Sequence, residues 1–114
     1  MRFKIGLSWV KLRLVKGLLK RRQAVGYWKP KKGSTDARID IDADIHGLYF
    51  CHTVMHELGH QVESDAGFDL EEEQIDALSK GYTEFLFGSG LVDPDEFEAR
   101  LRKLLESPSV RKKG

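Results

Sequence analysis

The chain has 114 residues, enough for one domain with a single modest core. No stretch approaches the apolar length of a membrane span, and Met1-Arg-Phe-Lys-Ile-Gly lacks the apolar segment and cleavage site of a signal peptide. The single cysteine, Cys51, excludes an internal disulfide, so the expected setting is the cytoplasm, and the net charge is only +1.

That near-neutral total hides an asymmetry. No Asp or Glu precedes Asp36, whereas Lys and Arg recur from Arg2 to Lys32; from Asp36 to Glu98 carboxylates dominate. A nucleic-acid surface is one reading. No reader motif accompanies the charge, however, so a basic lobe docked on an acidic one, or simply solvated faces, are the preferred readings.

Residues 3–15 read as extended structure: Trp9, Lys11, Arg13 and Val15 alternate with Val10, Leu12 and Leu14. A helix from Trp9 to Arg22 competes, but Gly6 and Gly17 favour strand, followed by a short helix or irregular segment over 18–23. Gly26 to Thr35 is turn-rich and cationic, which predicts a loop. Ala37 to Asp44 alternates again, with Ile39, Ile41 and Ala43 inward and Asp40, Asp42 and Asp44 outward, the pattern of an edge or solvent-facing strand. A helix is expected from Gly47 to Ser64, closed at Gly67, with Cys51 as a buried packing thiol. Gly59 removes a side chain where another element approaches.

The next helix spans 70–87, with a buried stripe of Ile75, Leu78, Tyr82, Phe85 and Leu86 and a close crossing at Gly81. Tyr82 is expected in the core, an oxyanion contact being its lesser alternative. Asp93-Pro94-Asp95-Glu96 starts a last helix through Glu106, with Phe97, Leu101, Leu104 and Leu105 inward. The whole is a single α+β domain over 1–106, with a frayed basic tail at 107–114.

Within the central helix lies His56-Glu57-Leu58-Gly59-His60, the pattern HExxH. Imidazoles four residues apart project from one helical face and can hold one metal ion, while Glu57 is turned toward a metal-bound water. Catalytic zinc takes three protein ligands, so a carboxylate is needed after the motif. Glu71, Glu72 and Glu73 open the following helix. Three residues back from the inward Ile75 is Glu72, which makes it the favoured ligand; Glu73 is the alternative third ligand and Glu71 the lesser one. Asp76, one turn on, is placed to accept the free ring N–H of a ligating histidine. His52 is given a hydrogen-bonded supporting role, and His46 a surface or capping one.

Over residues 39–86 the chain resembles small phage- and prophage-encoded zinc metallopeptidases of the gluzincin clan, and is similar to the minimal single-domain gluzincins and to ImmA/IrrE-like peptidases. The likeness rests on His56-Glu57-Leu-Gly-His60, a short connector, and Leu70-Glu-Glu72-Glu73-Gln74-Ile75-Asp76. It implies a zincin-like fold, a small twisted sheet with an edge strand over the HExxH helix plus two further helices, and 39–44 matches that edge strand in position. It also implies Zn2+ on His56, His60 and Glu72, with Glu57 as general base and then acid. Peptide or protein substrate would add as a strand beside Ile39 to Asp44. The alternative is a zinc-containing regulatory or binding module that engages a protein or nucleic-acid partner with little peptidase activity.

Overall fold

The computed structural model describes residues 1–34 and 36–106; the expected frayed tail at 107–114 lies outside them. The architecture is α+β. Four strands, β1 (Arg2–Ile5), β2 (Ser8–Val15), β3 (Gly26–Pro30) and β4 (Ala37–Asp42), form one mixed sheet in the order β1-β2-β4-β3. Helix α1 (Leu18–Arg22) precedes β3, and α2 (Gly47–Ala66), α3 (Glu72–Thr83) and α4 (Pro94–Leu105) follow the sheet. No described helix is long and apolar enough to cross a membrane.

The extended segment over 3–15 is a hairpin. Ile5 pairs with Ser8 across a two-residue turn in which Gly6 takes φ 59°, a backbone state that needs glycine. The even residues of β2 face inward, and in parallel register Leu12 meets Ile39 and Leu14 meets Ile41. Val10, Leu12, Ile39 and Ile41 pack with Phe50 and Val54 of α2 and Leu101 of α4, so the core lies between the sheet and α2. Each such side chain contributes about 1.5–3 kcal/mol on burial.

Two strand expectations are corrected. Gly26 to Pro30 is a strand, paired antiparallel to β4 from Gly26↔Ile41 to Pro30↔Ala37, because β4 supplies the ladder that its turn-forming residues do not themselves suggest. Pro30 ends it at the sheet edge, where a missing N–H is tolerated. In consequence β4 is interior, and it stops at Asp42 instead of Asp44. Asp40 and Asp42 are buried, at 3% and 4% exposure. Asp40 accepts from Arg13 Nε and Nη2 at 2.8 and 3.1 Å and lies 3.2 Å from Arg38 Nε. Asp42 accepts the Leu19 amide at 3.1 Å and that of Asp44 at 2.9 Å, tying α1 to the strand. Buried carboxylates persist only when paired in this way.

Helix α2 closes at Gly67 with φ 78°. Helix α3 is shorter than expected and continues into a π-helical turn over Glu84–Gly88. Its buried residues are Ile75, Ser79 and Thr83, then Phe87 in the π turn; Leu78, Tyr82 and Phe85 are exposed, and Leu86 is half-buried. The inward stripe is carried by small hydroxyl residues whose polarity is absorbed locally. Ser79 Oγ donates to the Asp76 carbonyl and Thr83 Oγ1 to that of Ser79. Nothing lies within 4 Å of a Cβ built at Gly81, so the crossing expected there is absent, whereas one at Gly59 would meet Ile75 Cγ2 at 3.2 Å. The close approach of α3 is at Gly59.

Helix α4 starts as expected, with Asp93 accepting the Asp95 amide at 3.4 Å, but Leu104 is exposed rather than inward. Its buried Glu98 had no signal in the apolar pattern. Glu98 accepts the Gly47 amide at 2.6 Å, capping α2 from another helix, and also meets His46 Nδ1 at 2.7 Å and Arg102 Nε at 2.6 Å. Burial alone would raise its pKa; the Gly47 amide, His46 and Arg102 outweigh that and hold it below the ordinary glutamate value. A depressed carboxyl pKa stabilises the fold above the unfolded value of about 4.3, and that contribution is lost as pH falls through the lower folded value. Glu98→Gln should therefore cost about 1–2 kcal/mol at pH 7 and flatten the acid limb of stability, as read by urea midpoints below pH 5.

Candidate metal centre

The site is built on the exposed-facing stripe of α2. His52, His56 and His60 follow at intervals of one helical turn, with ring centroids 6.3 Å apart for the first pair and 5.0 Å for the second. Because Gly59 lets α3 settle against α2, the first turn of α3 reaches over this stripe. Glu72 spans two imidazoles there: Oε1 lies 2.6 Å from His56 Nε2 and Oε2 lies 3.3 Å from His60 Nε2. One ligand atom each from His56, His60 and Glu72 falls within a 4.8 Å cluster. Glu73 is exposed and outside that cluster, and Glu71 is the N-cap of α3, its amide donating to Gln74 Oε1 at 2.8 Å.

No protein-family model, curated protein or solved structure matches this chain.

Ligands 2.0–2.2 Å from a tetrahedral zinc stand about 3.3 Å from one another. Glu72 Oε2 already stands at that value from His60 Nε2, and Oε1 of the same carboxylate is 2.6 Å from His56 Nε2, a contact that would open by about 0.7 Å around an ion. Two neutral imidazoles and one carboxylate are also a donor set that zinc accepts with a coordination position to spare. The residues fit the ion.

Their surroundings orient them. Asp76 Oδ1 lies 3.3 Å from His56 Nδ1, placed to accept an N–H there, while Nε2 of the same ring hydrogen-bonds Glu72 Oε1 at 2.6 Å and is the atom that would face an ion. The same oxygen is 3.6 Å from His52 Nε2, which also meets Ser79 Oγ at 3.5 Å. His52 thus supports the site from one turn away.

Several contributors went unnoticed in the sequence. Glu63 sits 3.9 Å from His60 Nδ1 and accepts the Leu70 amide, linking the α2–α3 connector to the second imidazole; its i, i+3 spacing from His60 was the available signal. Trp28 of β3 stacks on His60, with centroids 6.0 Å apart at 23°, and its Nε1 donates to the buried Gln61 Oε1 at 2.9 Å. No periodicity in a segment read as a loop would have disclosed it.

Glu57 is 7% exposed and lies against the start of β3: a Cβ at Gly26 would come 2.7 Å from Glu57 Oε2. Burial pushes its carboxyl up to about 7; His56 pulls that value back and Glu72 raises it. It lines both cavities of the cleft. One, of about 390 Å³, includes Val25, Tyr49, His52 and His56; the other, of about 210 Å³, includes Tyr27, Trp28 and His60; both touch Gly26 and Glu72. Tyr82, expected in the core, is 62% exposed and lines neither. Cys51 is fully buried, and that burial, with Glu98 and Asp95 adding to it, pushes its thiol up to about 11, so it is a packing residue with no thiolate to offer.

Proposed function

We propose that this chain is a zinc-dependent metallopeptidase of zincin-like, gluzincin type. The single observation that carries the reading is Glu72 bridging the Nε2 atoms of His56 and His60 while the Glu57 carboxyl sits buried beside them. His56, His60 and Glu72 would hold the ion, which when bound supplies Lewis acidity toward a peptide carbonyl and lowers the pKa of a water toward about 7.

The remaining work falls to the protein. Glu57, poised near neutrality by burial, accepts a proton from the attacking water and delivers it to the departing amide nitrogen. Asp76 orients the His56 ring, and Trp28 lies parallel to His60 and helps to fix that ring. Substrate orientation belongs to β3, because β4 is paired on both sides and β3 is the last strand of the sheet. An extended peptide adds to the open edge of β3, placing a carbonyl beside Gly26 and Glu57.

The zinc-loaded protein should fragment an unstructured peptide mixture, with new amino termini seen by mass spectrometry. A chelator should stop the reaction and added zinc restore it. Intact peptides after prolonged incubation with the zinc-loaded protein would contradict the reading.

A further inference from the structure

We propose that the outer face of the sheet, turned away from α2 and from the candidate metal centre, binds single-stranded nucleic acid. The strand register carries the argument. Arg2 pairs with Lys11, Lys11 with Arg38, and Arg38 with Lys29, so one cation from each strand forms a single row across the whole sheet. At about 4.8 Å between strands the row is about 15 Å long. Like charges directly opposite one another weaken a sheet, and a merely solvated surface has no reason to stack them in register.

The carboxylates near this row are already engaged. Asp36 accepts the Trp9 amide at 2.9 Å, and Asp40 is taken by Arg13 and Arg38. Among the described residues Lys4, Lys11 and Lys29 make no ion pair, and Arg2 lies over an aromatic ring. That ring is Trp9, 41% exposed, with Arg2 Cζ 4.4 Å and Lys4 Nζ 5.5 Å from its centroid. Trp9 pairs with Lys4 two residues along the strands from the cationic row, and Trp9, Arg2, Lys11, Lys29 and Arg38 line a groove of about 670 Å³ that includes Asp36 and continues to Lys31 and Lys32.

A row of cations beside an aromatic ring on an open sheet is what a single strand requires: charges for its phosphates and a platform on which an unstacked base can lie. A duplex keeps its bases stacked and could not use the ring. A membrane surface is the poorer fit, because Trp9 lines a concave groove instead of projecting from it. The inner face of the same sheet packs on α2, so a strand on the outer face leaves the cleft accessible.

The test is fluorescence anisotropy of a labelled 15-residue oligothymidylate with the full chain. With Arg2, Lys4, Lys11 and Lys29 each meeting a phosphate, log affinity should fall with log salt at a slope of about −3, or about 50-fold between 50 and 200 mM. Lys11→Glu with Lys29→Glu should abolish binding at 200 mM salt. Both lysines are exposed; should that pair of reversals disturb the fold by circular dichroism, Lys11→Gln with Lys29→Gln should still lower the slope by about 1.4. Trp9→Ala should weaken binding about 10-fold and leave the slope unchanged. No binding at 50 mM salt, indifference to the lysine changes, or equal or tighter binding of a duplex or of phosphatidylserine vesicles would overturn the proposal.

Discussion

Glu57→Gln should retain zinc with wild-type stoichiometry and hydrolyse peptides about 10²–10⁴-fold more slowly. Glutamine keeps the shape of the side chain and can occupy the same space beside Gly26, where Glu57 is almost wholly buried. It cannot accept a proton from water. Glu57 is also outside the cluster of His56, His60 and Glu72, so its replacement would leave the proposed donors in place. The loss should fall on kcat, with KM nearly unchanged, because the proton is in flight only during the chemical step. A parallel loss of zinc would show that Glu57 supports the fold of the site instead of its chemistry.

Gly26→Val should do comparable harm from the neighbouring strand. Its Cβ would come 2.7 Å from both Glu57 Oε2 and Thr53 Cγ2 and 2.9 Å from Glu57 Cγ. The carboxylate end of Glu57 can swing away, but the Thr53 methyl is fixed on α2 and cannot. The substitution should therefore push β3 from α2, costing about 1–3 kcal/mol by overpacking, and misplace Glu57 enough to lose about 10²-fold in turnover. Thermal denaturation and steady-state kinetics check the two parts separately. An active, fully stable variant would show that β3 does not fix the position of the base.

The pairing of His56 with His60 was legible because helical spacing is a local property, and Glu72 followed from one correct anchor, Ile75, which is 2% exposed against Gly59. The rest of that stripe misled. Leu78, Tyr82 and Phe85 have the right polarity for a core and face solvent, while Ser79 and Thr83 are buried, Ser79 beside His52 of α2, because small side chains permit a closer helix contact than large ones. Strand alternation distinguished the two faces of β4 but not what would cover its acidic one. Arg13 comes from β2 and is remote in sequence, and without it Asp40 looks like a solvent-facing residue.

The edge strand was misassigned for a related reason. Gly26 and Pro30 are turn formers in isolation, and only the β4 ladder makes 26–30 extended. A loop at 26–30 would leave β4 at the edge of the sheet; with 26–30 paired to it, β4 is interior. Trp28 and Gln61 were lost with it, since their hydrogen bond joins segments that no local pattern connects. The buried Glu98 is the same kind of case, a carboxylate whose partners Gly47 and His46 belong to the start of another helix.

The proposed grip of His56, His60 and Glu72 on one zinc ion is open to direct observation. Its most direct test is an anomalous difference map at the zinc edge from crystals grown with one equivalent of zinc. The expected result is one strong peak 2.0–2.2 Å from Nε2 of His56, Nε2 of His60 and a carboxylate oxygen of Glu72. A peak elsewhere, or none at this cluster with the three side chains ordered, would contradict it.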